Sequence, residues 1–191
     1  ISEKQVGVDE VIHALDLSLA SIDEAVRQIR AIVHNLREPD SDVGLVERIR
    51  RESSLSRSFL GFAPSLLISV DGQSVNEQKE CEDHRVELLN SRVDDSRSDD
   101  AVAIVREGLS NIARHAHATA GAVNVELEGS GKTGRLTVSV SDDGVGIDPA
   151  HTRNSGLANM AERARLNGGT FTVGTGLEGK GTKITWSVPL A

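Results

Sequence analysis

The chain has 191 residues, enough for one domain of ordinary size plus an appendage, and its 29 acidic against 21 basic residues leave a net charge of -8. That balance argues against a general nucleic-acid binder, which would show a basic surface, so any phosphate site must be local. Cys81 is the only cysteine, which excludes a disulfide framework and a cysteine-based zinc site and suits a reducing, cytoplasmic setting.

No apolar run reaches the length of a membrane span and no signal peptide precedes the chain; the start at Ile1 reads as a piece of a longer protein. Val8, Ile12, Leu15, Leu19, Ile22, Val26, Ile29, Val33 and Leu36 are spaced four, three, four, three, with Asp9, Glu10, Asp16, Asp23, Glu24, Arg27 and Arg30 on the flanks. This heptad seam predicts a long coiled-coil-like helix from about 8 to 37, stopped at Glu38-Pro39. One amphipathic helix cannot bury its own stripe, and the narrow, regular seam points to intermolecular packing. Residues 39–44 read as a linker.

Leu45 to Leu60, with Val46, Ile49 and Leu55 apolar among Arg48, Arg50, Arg51 and Arg57, predicts a second helix. Ser65 to Val70 predicts a strand ended by Asp71-Gly72. Residues 73–100 carry Glu77, Lys79, Glu80, Glu82, Asp83, Asp94, Asp95, Arg97, Asp99 and Asp100. They are expected to form a solvated loop or hairpin in which only His84 to Leu89 could pair as a short strand. From about Asp99 to Ala116, the positions Ala101, Ile104, Val105, Leu109, Ile112 and Ala113 recur at helical spacing. Strands follow at about 121–127, 134–141, 170–174 and 182–188, with a helix at about 157–166. This order predicts an α+β domain with helices layered on one face of a mixed sheet.

The strand at 134–141 alternates Leu136, Val138 and Val140 and runs into Ser141-Asp142-Asp143-Gly144-Val145-Gly146-Ile147. Asp142 or Asp143 can accept a hydrogen bond from an exocyclic amine, while Gly144 and Gly146 let a flat ring approach the main chain. On the helix before it stands Arg106-Glu107-Gly108-Leu109-Ser110-Asn111-Ile112-Ala113-Arg114-His115-Ala116, where Glu107, Asn111 and His115 are spaced by four and share a face. The Asn111 carbonyl is a hard oxygen ligand that suits Mg²⁺. Glu107 could orient a metal-bound water or accept a proton, and Arg114 and His115 could contact phosphate oxygens. Each motif alone is an ordinary solvated helix face or an ordinary turn; their combination is what points to a nucleotide.

With Gly156-Leu157-Ala158-Asn159-Met160 and Gly179-Lys180-Gly181-Thr182 downstream, the four elements resemble, in order, the N box and glycine boxes of one ATP-binding domain. That domain is shared by sensor histidine kinases, type II topoisomerases and mismatch-repair ATPases. The short lid at 148–155 and the run from Gly156 to Arg163 are similar to those of the nitrate-, oxygen- and membrane-fluidity-sensing group of bacterial kinases. The resemblance implies a two-layer α/β sandwich that binds ATP and Mg²⁺. It would set Asp142 on the adenine amine, Gly144 and Gly146 around the base, and Gly181 and Thr182 near it. Asn111 would hold the metal, with Glu107, Arg114 and His115 at the catalytic end, and Gly156 and Leu157 would open a helix facing the phosphates.

The same resemblance divides the chain into the second helix of a dimerisation hairpin (1–38), a linker (39–44) and a catalytic domain (45–191); residues 73–98 are longer and more charged than it leads one to expect. It implies a homodimer in the intact kinase, a response regulator as partner, no direct nucleic-acid binding, and a membrane link only through upstream regions. In this group the phosphorylated histidine is followed at once by an acidic residue, whereas His13, His34, His84, His117 and His151 precede Ala, Asn, Arg, Ala and Thr. The acceptor is therefore expected upstream of Ile1. Two other readings share the fold: a serine kinase that binds and inhibits a sigma factor, and a non-catalytic nucleotide-binding interaction module. The heptad helix weighs against the first, and intact Glu107, Asn111, Asp142 and Gly146 against the second.

Overall fold

The computed structural model describes residues 43–75, 84–147 and 155–190 and, between 11 and 33, positions 11, 13, 15, 17–19, 21, 22, 25, 26, 28, 29, 32 and 33. All the described positions from 11 to 33 are helical. Their seam residues Leu15, Leu19, Ile22, Val26, Ile29 and Val33 are 39–60% exposed, and Val11 and Ile32 are exposed beside them. Those two widen the apolar band beyond a two-stranded seam. Val8, Ile12, Leu36 and residues 39–42 lie outside the described residues.

The rest is built from helix α1 (Leu45–Leu60), strands β1 (Ser65–Val70) and β2 (Gln73–Ser74), helices α2 (His84–Arg92) and α3 (Asp95–Asn111), strands β3 (Gly121–Glu128) and β4 (Arg135–Asp142), helix α4 (Ser155–Leu166), and strands β5 (Thr170–Thr175) and β6 (Thr182–Pro189). The six strands form one sheet in the order β2-β1-β3-β4-β6-β5. β1 and β3 run parallel and every other pair is antiparallel, which makes the sheet mixed. Alternation decides its faces: Val123, Val125 and Leu127, Leu136, Val138 and Val140, and Ile184, Trp186 and Val188 are buried under the helices. Their neighbours Asn124, Glu126, Thr137, Thr185 and Ser187 are half-buried on the open face. α3 packs on β4 and β6, α1 on α3, and α4 on β5 and β6, so the helices form a single second layer.

Residues 84–100 are not the solvated loop expected of them. Val86, Leu89 and Val93 fall at helical spacing, and Leu89 and Val93 are buried, so α2 forms a helix rather than a short strand. α3 begins four residues earlier than its apolar periodicity indicates, because Asp94 caps it: its Oδ1 accepts the Arg97 N–H at 2.8 Å. α2 also serves α1. Gly44 precedes α1 without a side-chain cap, and Asn90 reaches across so that its Oδ1 accepts the Val46 N–H at 3.3 Å. A Cβ at Gly44 would stand 2.4 Å from the Asn90 amide, so this borrowed cap requires glycine. No hairpin forms over the described residues 84–100; β1 instead turns at Asp71 and Gly72, at φ 50° and 75°, to pair with the two-residue β2.

Two features of α3 place the site. Gly108 lets the helix settle directly on β4, since a Cβ there would lie 2.9 Å from the Val140 Cβ. Beyond Asn111 the helix loosens into a π turn, Ile112–Ala116, a form that occurs mostly as single turns and often at functional sites.

Candidate functional site

A cavity of about 470 Å³ opens where α3 and its π turn, the end of β4 and the start of β6 converge. Val140, Ile184, Ile112 and Leu157 give it apolar walls, with Val145 and Ile147 beside them. Asn111, His115, Asp142 and Thr182 are its polar groups, and Gly146 is part of the wall. The volume and the few convergent polar groups suit a small organic ligand with a flat apolar part. Of the residues singled out in the sequence, Asn111, His115, Asp142, Gly146, Leu157 and Thr182 meet here.

Asp142 is 4% exposed. Its Oδ1 accepts the Gly144 N–H at 2.8 Å and the Thr182 N–H at 3.3 Å, which leaves Oδ2 with acceptor capacity for a ligand amine. Burial pushes its pKa above the ordinary value and the Asp143 charge adds to this, while the two backbone donors pull the other way. Asp143 is committed elsewhere. Its Oδ1 takes the Thr119 and Ala120 N–H groups at 2.8 Å and its Oδ2 the Thr119 hydroxyl at 2.6 Å. The Thr119 hydroxyl and these amides hold its pKa at about 2. Of the two acids, it is Asp142 that lines the cavity. Asp143→Ala is expected to free the turn at 117–120, seen as faster hydrogen exchange of the Thr119 and Ala120 amides. Asp143 stabilises the fold above its unfolded value of 3.8, and that contribution is lost as pH falls through about 2.

Two glycines act beneath the site rather than in its wall. A Cβ on Gly144 would lie 2.1 Å from the Ala116 carbonyl oxygen, and one on Gly181, at φ 64°, would lie 2.4 Å from Asp142 Oδ1. Both let the acidic turn press against its neighbours and fix the carboxylate. Gly176, which the motifs do not include, has the same function: a Cβ there would stand 2.1 Å from the Asp142 carbonyl oxygen. Val140 and Ile184 were legible as alternating strand positions, and they sit side by side in the β4–β6 register.

Glu107 and Gly156 do not enter this cavity. They line a second one of about 510 Å³ with Asp99, Arg106, Asn159 and Arg163. The cavities are contiguous along the chain, since Glu107 and Gly108 on α3, and Gly156 and Leu157 on α4, wall one each. Arg114 folds back on its own helix: its Nη2 donates to Asn111 Oδ1 at 3.0 Å and to Glu107 Oε1 at 3.4 Å, and its Nε to the Ser110 carbonyl at 3.3 Å. Burial, and then the Arg114 charge, hold the pKa of His115 below its ordinary value, with Glu107 opposing, so the imidazole is neutral at neutral pH. The expected lid at 148–155 lies outside the described residues except for Ser155. Among the described residues no helix is long and apolar enough to cross a membrane.

A mixed sheet covered on one face by helices, with an acidic turn and a helix carrying Asn111 enclosing the cavity, defines an ATP-binding domain of the histidine kinase and topoisomerase type. The family model of histidine kinase-, DNA gyrase B- and HSP90-like ATPases matches residues 96–191, and the chain belongs to that family.

Among curated proteins, the chain is 38% identical over 87 residues to the signal transduction histidine-protein kinase/phosphatase UhpB of Salmonella typhimurium, covering 45% of this chain and 16% of that protein. It is 28% identical over 168 residues to the sensor histidine kinase LiaS of Bacillus subtilis, covering 79% of this chain and 45% of that one. The sensor histidine kinase YxjM of the same organism is 27% identical over 173 residues, with 87% and 35% covered. The chain thus spans less than half the length of each of these relatives. Among solved structures, the histidine kinase domain of a blue-light-activated kinase from Erythrobacter litoralis matches with a TM-score of 0.52 at 20% identity, over 87% of this chain and 75% of that one, which shows the shared fold.

Proposed function

We propose that the chain is the ATP-binding catalytic portion of a two-component sensor histidine kinase. A histidine nitrogen attacks the γ-phosphorus of ATP, the bond to the β,γ-bridging oxygen breaks, and ADP leaves; the phosphoryl group then passes to an aspartate of a response regulator. The observation that carries this reading is the convergence of Asn111, Asp142 and Thr182 on one largely apolar cavity in a domain of this family. In this assignment Asp142 accepts from the adenine amine while Val140, Ile184 and Leu157 cover the base. The triphosphate runs toward the second cavity, where Glu107 and the amino end of α4 at Gly156 stand, a position that favours anions. Gly144, Gly146 and Gly181 keep the turn close to the base. His115, neutral, can donate to a phosphate oxygen.

Mg²⁺ fits the residues present. Asn111 Oδ1 and Glu107 Oε1 both lie within 3.4 Å of a single cationic nitrogen, Arg114 Nη2, so two hard oxygens already converge on one positive charge. Bound there, Mg²⁺ would neutralise phosphate charge. Asn111 and Glu107 would hold it, and Arg114 would supply a further positive charge.

The exposed apolar residues at the described helical positions between 11 and 33 support packing as one helix of a homodimeric bundle, with 39–44 as the linker and 45–191 as the catalytic domain. We place the acceptor histidine on a preceding helix. The test is phosphorylation of the parent kinase with γ-labelled ATP, giving acid-labile, base-stable phosphohistidine. Asn111→Asp is expected to slow the transfer about a hundredfold or more while metal-free ADP binding persists. Transfer at the normal rate in that variant would remove Asn111 from the metal assignment.

A further inference from the structure

We infer that Arg114 is a tethered stand-in for the metal ion, holding Asn111 Oδ1 and Glu107 Oε1 in the nucleotide-free chain and surrendering them when Mg²⁺ arrives with the nucleotide. The inference rests on the reading of this site as an ATP–Mg²⁺ site and goes beyond it by giving Arg114 a task before any ligand is present. Three contacts carry it. Nη2 is 3.0 Å from Asn111 Oδ1 and 3.4 Å from Glu107 Oε1, and Nε is 3.3 Å from the Ser110 carbonyl, so the side chain lies along its own helix. The Arg114 and Glu107 side chains are 27% and 19% exposed, shielded enough that the pairing is not simply averaged away by water.

The chemistry of the two oxygens explains why the site needs such a placeholder. Arg114 gives the partly buried Glu107 carboxylate and the Asn111 carbonyl one shared cationic donor, and a charged donor bonds such oxygens more strongly than a neutral one. The π turn that begins at Ile112 puts Arg114 on the loosened segment of the helix, where a side chain can change direction with little disturbance to the α-helical hydrogen bonds of α3. A guanidinium can bond two oxygens at once, and here the single nitrogen Nη2 reaches both, which keeps the two side chains turned toward one cation. Once displaced, the same guanidinium carries its charge to the phosphates. Arg114 is therefore a positioning residue before loading and a phosphate contact after it.

The inference predicts competition between Arg114 and Mg²⁺ for Asn111. Calorimetric titration of the chain with ADP at a series of MgCl₂ concentrations gives the Mg²⁺ midpoint at which ADP affinity rises. In Arg114→Gln that midpoint is expected to fall by about fivefold or more, the scale of a hydrogen bond to a charged group, even though ADP alone binds more weakly. Removing any nearby positive charge would also favour Mg²⁺, and a double-mutant cycle separates the two causes. If Arg114 acts by holding the two oxygens, adding Arg114→Gln to Asn111→Ala lowers the midpoint by clearly less than in the wild-type background, since only Glu107 is then released. A midpoint that is equal or higher in Arg114→Gln overturns the inference, and so does an equal fall in the Asn111→Ala background. If wild-type chain does not bind ADP, or binds it without regard to Mg²⁺, the nucleotide reading of the site fails as well, and that outcome is distinct from the other two.

Discussion

Asp142→Asn is expected to lower ATP affinity by at least about a hundredfold while leaving the fold intact. The amide keeps Oδ1, so the Gly144 and Thr182 N–H groups retain the acceptor they bond at 2.8 and 3.3 Å, and the acidic turn keeps its shape. What changes is the other end of the side chain, where an NH₂ replaces an oxygen and two donors then face each other across the adenine amine. A site built around one hydrogen bond rejects a mismatched partner strongly because the buried groups are left unpaired.

The charge lost was itself a cost to the folded state. Burial raises the Asp142 pKa, so its contribution to stability is present below the unfolded value of 3.8 and is lost as pH rises through the folded value. At neutral pH the ionised carboxylate is therefore mildly unfavourable to folding, and the asparagine variant should unfold at equal or higher urea concentration. Fluorescence of Trp186, the only tryptophan and fully buried on β6, reports that transition. ATP affinity within about threefold of wild type, in a chain that unfolds normally, would refute the assignment of Asp142 to the base.

Some of this site was legible in the chain because local chemistry and tertiary position agree. The alternation of Leu136, Val138 and Val140 ahead of an acid and two glycines is a strand delivering a carboxylate, and β4 does so. The bounds of α1 and β1 are those read from apolar spacing and, for β1, from Asp71-Gly72 as its stop. Where the reading stopped short, the missing information was three-dimensional. From the residues themselves Asp142 and Asp143 are equivalent, and where the resemblance favours Asp142, the packing of the 117–120 turn against Asp143 gives the physical difference. Residues 84–92 are too charged to announce a helix, yet Leu89 and Val93 suffice to anchor one once β1 and α1 supply a surface. Glu107 and Asn111 are one turn apart and were expected on one wall, but the 6 Å or so of rise between them is enough to set them in adjacent cavities.

The arginines of α1 show the same limit and carry the second large effect. Arg48, Arg50, Arg51 and Arg57 read only as the charged residues of an amphipathic helix, but Arg48 is buried and meets Asp99 of α3 at 2.7 Å. Four residues on, Glu52 accepts from Arg106 Nη2 at 2.8 Å and Nε at 3.3 Å, with both side chains at or below 10% exposure. This paired arrangement joins α1 to the helix that carries Asn111. Glu52→Ala is expected to destabilise the chain by about 3–5 kcal/mol, because it leaves the Arg106 guanidinium buried without its carboxylate. For a domain whose total stability is on the order of 5–15 kcal/mol, that is enough to bring it near unfolding at 37 °C.

The double replacement Glu52→Leu with Arg106→Met should recover most of the loss, since a well-packed apolar pair of similar volume avoids the desolvation cost that the ion pair carries. Urea unfolding followed through Trp186 measures both variants. A single variant within about 1 kcal/mol of wild type would mean that solvent reaches the pair and that it contributes as a surface bridge does. Full recovery in the double variant would show that the charges are not needed for folding. Arg106 is followed directly by Glu107 in the second cavity. Because Arg106 itself lines that cavity, loss of ATP affinity in Glu52→Leu alone as well as in the double variant, both folding normally, would assign the pair to the placement of α3 over the nucleotide.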